Sequence, residues 1–228
     1  MKSTLFAGVA AAALLVGSAA PSHAMLMLTV SDGTTTDTVN DLSNSGGATF
    51  MGAIGAFNFN VVTGTSMPLI GSAALPTLDL NSIDITSRGG SGGTLTFKLT
   101  DTDYIGVPGT THFYDAVGGT LTGVGSSFQV KTFMDCSNTA FGTTTALTSE
   151  TFTGSAFSGS QDAYVASCGG HYSLTQLATL TLPGSAMYSG DSNLSVPEPS
   201  TIALFGAGLL GLGFALRRKG TATPAAAA

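Results

Sequence analysis

The sequence predicts an all-β protein, a β-sandwich with jelly-roll-like character, and three observations carry that expectation. Charged residues make up only 9% of the chain, against roughly 25% in an ordinary soluble domain, so Lys, Glu and Arg are too few to cover the outer faces of helices. The polar content is instead rich in Ser, Thr and Asn, with 31 glycines, residue types that suit strands and turns. Between positions 25 and 195, short runs alternate apolar and polar residues and are broken by Gly, Ser, Asn and Asp clusters, the pattern of half-buried strands.

Met25 to Val30 supplies the first strand. Phe57, Phe59 and Val61 alternate with Asn58 and Asn60, and Leu95, Phe97 and Leu99 alternate with Thr96 and Lys98. Leu78 and Leu80 lie in one phase and Ile83 and Ile85 in the other, which predicts a bulge or bend at Asn81-Ser82. Phe128 and Val130 mark another strand, and a further one begins near Tyr172 and ends at Leu180 and Leu182. Leu174, Leu177 and Ala178 also fit a helical period, but Thr175, Thr179 and Thr181 around them favour strand. Asn44 to Gly47 and Ser87 to Gly93 are turn or loop material.

Two segments outside this domain are addresses. Lys2 followed by the apolar run Leu5 to Val16, with Ser22-His23-Ala24 at the end, has the three parts of a secretory signal peptide cut after Ala24. Residues 1–24 are therefore read as a signal helix that enters the Sec export machinery. At the other end, Val196-Pro197-Glu198-Pro199-Ser200 precedes the apolar run Thr201 to Leu216, and Arg217, Arg218 and Lys219 follow. Two prolines hold Glu198 in extended backbone. The run of 16 residues gives about 24 Å of helix, short for a single transmembrane helix, so flanking residues or local bilayer thinning supply the rest. The basic cluster stays cytoplasmic by the positive-inside rule, which leaves the domain outside in an N-out, C-in topology.

Residues 196–219 closely resemble the PEP-CTERM sorting signal: a Pro-Glu-Pro motif, a Gly- and Leu-rich helix and a terminal basic cluster. The resemblance implies that exosortase, an integral-membrane protease, processes the chain. It also implies a Gram-negative cell surface or extracellular matrix as destination, with exopolysaccharide a candidate partner. Residues 25–195 are similar, more loosely, to the ectodomains of such surface proteins, and residues 220–228 form a low-complexity tail.

Between Lys2 and the basic cluster that starts at Arg217, only Arg88, Lys98 and Lys131 oppose the 13 acidic residues. Such a surface repels nucleic-acid phosphates and anionic lipid, which argues against nucleic acid as a partner. Cys136 and Cys168 are the only cysteines. In an exported chain they are expected to pair, the alternatives being free buried thiols or a zinc site for which His112 and His171 are too few.

No motif announces catalysis or a cofactor. Gly89-Gly90-Ser91-Gly92-Gly93 spells G-x-S-x-G without the strand and helix of a nucleophile elbow, although Ser91 and His112 keep a hydrolase in view. Gly206 to Gly211 spells G-x-G-x-x-G inside the apolar run, with no βαβ unit around it. Ala203, Ala207, Gly211 and Ala215 form a small-residue stripe that suits packing against another membrane helix or, equally, a helix that is easily unwound. Asp101 and Asp103 are the one weak calcium candidate, with Asp135 or Asn138 as further oxygen donors; turn-forming Asp is the plainer reading. Tyr104, Tyr114 and Tyr164 stand as sugar-stacking candidates in a chain without Trp, although core packing or turn-edge placement is the plainer reading. The expected function is a non-catalytic envelope or matrix protein, with a carbohydrate-binding module as the alternative.

Overall fold

The computed structural model describes residues 25–197 together with Gly208 and Leu210. The expected signal helix and most of the expected transmembrane helix lie outside the described residues. Twelve strands follow in order: β1 (Met27–Ser31), β2 (Thr36–Asn40), β3 (Gly47–Ile54), β4 (Phe57–Thr65), β5 (Thr77–Ser87), β6 (Gly93–Ile105), β7 (Thr110–Leu121), β8 (Ser127–Asp135), β9 (Thr145–Phe152), β10 (Ala156–Ala166), β11 (His171–Leu182) and β12 (Met187–Ser195). They build two six-stranded antiparallel sheets, β2-β1-β6-β11-β8-β9 and β10-β7-β12-β5-β4-β3.

From β5 onward the chain swaps sheets at almost every step. The resulting order, β10-β7-β12-β5 over β6-β11-β8-β9, is that of an eight-stranded jelly roll. The first four strands extend it, β1 and β2 beyond β6 and β3 and β4 beyond β5. Leu95, Phe97 and Leu99 of β6 and Leu174, Ala178 and Leu180 of β11 face inward from one sheet. Phe57 and Phe59 of β4, Leu78 and Ile85 of β5 and Phe113 of β7 meet them from the other. Gly64 on β4 is a required gap, because a Cβ there would strike the side chain of Leu99 across the core.

Bulges set the phase changes, and they fall elsewhere than the pattern suggests. On β5, Ser82 stays in phase with Leu78 and Leu80 and is buried. The extra residues are Ile83 and Asp84, which lie opposite Ser189 of β12, with Asp84 at φ 52°. On β4 the alternation also breaks: Asn60 and Val61 face the single Met51 of β3, so Val62 rather than Val61 is buried. Val61 pairs with Ile83, so the two irregularities sit side by side in adjacent strands, where they increase local twist. One residue inserted in a strand moves every later side chain to the opposite face, which is why Val61 leaves the core.

Candidate functional site

β12 lies between β7 and β5 and pairs its last residue, Ser195, with Thr77 and Tyr114. The sorting motif begins at the next residue, which still belongs to the fold. The Val196 amide donates to the Pro76 carbonyl at 2.9 Å, and its side chain packs against the core. Pro197 is already exposed. Glu198, Pro199, Arg217, Arg218, Lys219 and the signal cleavage residue Ala24 lie outside the described residues. Among the described residues no helix is long and apolar enough to cross a membrane.

The loops around this exit share one end of the sandwich. Residues 66–76 join β4 to β5, and 106–109 lead into β7. Ile105 donates its amide to the Ala73 carbonyl at 2.8 Å, and Gly106 donates to Gly170 at 3.0 Å. Cys136 and Cys168 form a disulfide, with Cα atoms 5.4 Å apart, clamping the loop after β8 in one sheet to the loop after β10 in the other. The expected pairing is therefore present.

Asp101 and Asp103 are adjacent in sequence but separated by the fold. Asp101 points into the sandwich, fully buried; its Oδ1 accepts the Thr102 amide at 2.8 Å, and its Oδ2 has no hydrogen-bond partner. Burial pushes this carboxyl up to about 6. Beside it the Ser66 and Tyr104 hydroxyls bond to each other. Asp103 sits at a β6–β11 bulge with φ 65°. Its amide donates to Asn138 Oδ1 at 2.8 Å, and its Oδ1 accepts from Asn138 Nδ2 at 2.7 Å, with His171 Nδ1 at 3.4 Å. Asp135 accepts from the Ser137 amide and the Thr144 hydroxyl, both at 3.0 Å. These oxygens fasten loops, and among the described residues no three His, Cys, Asp or Glu side chains converge as a metal site.

Three features escaped the sequence reading. Asp41 is a loop-organising carboxylate: Ser43 and Ser45 donate to its Oδ1 at 2.8 and 3.0 Å, and the Gly46 amide to its Oδ2 at 2.6 Å. Burial pushes its pKa up, but these donors outweigh it and hold the group at about 2. The D-x-S-x-S-G spacing, an Asx-type signature, was the available signal. Second, Asp115 on β7 is fully buried, is pushed up to about 6 by burial, and accepts from Thr148 Oγ1 at 2.6 Å. Third, His112 stacks on Tyr164 with centroids 4.5 Å apart and planes 6° from parallel, and His112 Nε2 meets Asp162 Oδ1 at 2.6 Å.

That third cluster divides the three tyrosines between core packing and an outer face. Tyr104 is a core residue at 0% exposure, whereas Tyr164 is 67% and Tyr114 37% exposed. Tyr114 pairs with Asp162 and Tyr164 with His112, so all four share the outer face of one sheet. Ser91 lies in the loop before β6, at the end of the sandwich opposite His112, and the two do not meet.

Distant structural likenesses exist. They include the K1 cleaved adhesin domain of Lys-gingipain from Porphyromonas gingivalis W83 (14% identity, 75% of this chain and 90% of that one, TM-score 0.28). The infectious bursal disease virus VP2 subviral particle is another (11%, 76% and 52%, TM-score 0.33). So is the C-terminal CBM6 of LamC, a marine laminarinase from Zobellia galactanivorans (10%, 64% and 98%, TM-score 0.24). At these scores no function passes from them to this chain. No curated protein matches it. The PEP-CTERM protein-sorting motif matches residues 195–219, the segment that β12 delivers out of the fold. The chain accordingly carries a PEP-CTERM sorting motif at residues 195–219, which implies export and processing by exosortase.

Proposed function

We propose that the chain is a non-catalytic envelope or extracellular-matrix protein, held in the inner membrane by residues 201–216 with its domain outside until exosortase acts at Pro197-Glu198-Pro199. The observation that carries this is the junction at Val196. A central strand ends at Ser195, and the next residue, Val196, is still bonded to the fold, so the domain runs directly into the processing signal at an exposed Pro197. The acidic Ser- and Thr-rich surface suits a structural or adhesive role in a hydrated matrix. Deleting residues 197–219 should release the domain prematurely or misroute it, read by fractionating cells and medium. Unchanged surface localisation after the deletion would overturn the proposal.

A second reading is favoured by the outer-face cluster at Tyr114 and Tyr164, namely that the domain also binds exopolysaccharide. Aromatic rings offer faces for apolar sugar surfaces, and the Asp162 carboxylate beside them accepts sugar hydroxyls. Affinity electrophoresis in gels containing the producing cell's exopolysaccharide should show retardation that Tyr164→Ala reduces severalfold. Equal migration of the two proteins with and without polysaccharide would remove this reading.

A further inference from the structure

We infer that the sorting-motif end of the sandwich is a lipid-contacting surface, seated on the outer leaflet of the inner membrane while the chain is tethered there. This rests on the membrane-held stage proposed above. Within residues 25–197, five exposed aliphatic side chains lie at that end, Leu42 at 91%, Leu69 at 61%, Met25 at 49%, Ile105 at 46% and Val107 at 42%, against Val124 and Met187 at the far end and Met51 on β3. Three of them occupy loop tips, in segments 41–46, 66–76 and 106–109, and the other two flank strand ends on the same side. Backbone bonds bring these segments together. Ser66 donates to Gly46, Ile105 to Ala73 and Asp41 to Leu26, each at 2.8 to 2.9 Å.

Charge points to the same occupant. The chain is acidic overall, yet the loops 66–76, 106–109, 136–144 and 167–170 contain no Asp, Glu, Lys or Arg, and 41–46 contain only Asp41. That carboxylate is buried in its own loop by three hydrogen bonds. Loops with apolar tips and no solvated charge can approach lipid with little of the desolvation cost that keeps acidic surfaces away. The tether fixes which surface approaches. Only Pro197 to Ser200 separate Val196 from the apolar run beginning at Thr201, a reach of less than about 18 Å when fully extended. The domain therefore cannot turn a different end toward the bilayer. Seated this way, it directs the opposite loops outward and keeps the Pro-Glu-Pro segment at the interface where an integral-membrane protease works.

The chain has no Trp, which makes single-tryptophan variants clean depth probes. The full-length protein carrying Leu42→Trp, Leu69→Trp or, at the far end, Val124→Trp is reconstituted in phosphatidylcholine vesicles with brominated acyl chains. All three sites are exposed, and disulfide formation confirms folding. Trp at positions 42 and 69 should be blue-shifted and quenched at least twofold relative to position 124. Quenching no greater than at 124, in protein that sediments with the vesicles, overturns the lipid-contact inference while leaving the anchor intact. Protein that does not sediment overturns the membrane-held reading and this inference with it. A concentration-dependent blue shift at 42 and 69 without vesicles assigns the surface to a second copy of the chain instead.

Discussion

The two ends of the sandwich turn the chain by different chemistry. At the far end the connections are short, residues 32–35, 55–56, 88–92, 122–126, 153–155 and 183–186. Glycine supplies most of their left-handed positions, as at Gly33, Gly55, Gly89, Gly123 and Gly125. At Gly55 two features favour glycine, a φ of 52° and a Cβ position that the Asp32 carboxylate now occupies. The sorting-motif end has the long loops, 66–76 and 136–144, and four non-glycine residues there hold positive φ: Asn44, Asp103, Asn138 and Phe141. Non-glycine residues resist that region, and here side-chain bonds hold the loops in place. Asn138 exchanges two hydrogen bonds with Asp103, and the Phe141 amide donates to Thr100 Oγ1 at 3.1 Å. Tight turns fold on local preference alone, whereas long loops need cross-links, and this molecule places its disulfide where the loops are long.

Removing that disulfide is the strongest way to break the contrast. With Cys136 and Cys168 separated by 32 positions, the chain-entropy account gives a loss of about 3–4 kcal/mol. The double variant Cys136→Ser/Cys168→Ser should therefore unfold at markedly lower denaturant. Hydrogen exchange should accelerate in 136–144 and 167–170 well before it does in 88–92 and 183–186. Uniform acceleration at both ends would show that the disulfide stabilises the whole sandwich and that the ends are not separately organised.

Much of the fold was legible because it rests on local period and composition. The runs at Leu95, Phe97 and Leu99 and at Leu180 and Leu182 show their inward faces directly, and Thr175, Thr179 and Thr181 correctly favoured strand over helix at β11. The positions of bulges were not legible. Phe57, Phe59 and Val61 read as one phase, and only pairing with β3 reveals the extra residue at Asn60-Val61. Register is a property of two strands, and one strand's pattern does not contain it. The same limit applies to Asp101 and Asp103, whose alternate spacing suggests a shared face until the bulge turns one inward and the other outward. Tyr104 was unreadable for a related reason, since a tyrosine in an alternating strand carries no mark of whether its hydroxyl finds a buried partner such as Ser66. The sorting motif was legible throughout, because its recognition depends on linear order and not on packing.

A finer test separates two kinds of buried carboxylate at the motif end by pH. Asp41 has its folded pKa lowered to about 2, so its contribution is present above the unfolded value of 3.8 and is lost as pH falls through about 2. Asp101 has its folded pKa raised to about 6, and Asp115 in the interior behaves likewise. Their neutral forms suit the fold, so that stability is complete below 3.8 and declines as pH rises through about 6. Denaturant midpoints should accordingly peak near the unfolded value of 3.8, where the Asp41 contribution is nearly complete and the decline from Asp101 and Asp115 has only begun. Asp41→Asn puts an amide, which also brings two donors, where three donors now converge, and hydrogen bonds to a charged acceptor are worth about 1.5–3 kcal/mol. The expected loss is about 2 kcal/mol at pH 5, shrinking as pH approaches 2, with faster exchange confined to residues 41–46. A loss that persists undiminished at pH 2 would mean that Asp41 acts through packing and not through its charge. The motif end would then be held by its disulfide and the Asn138 clasp alone.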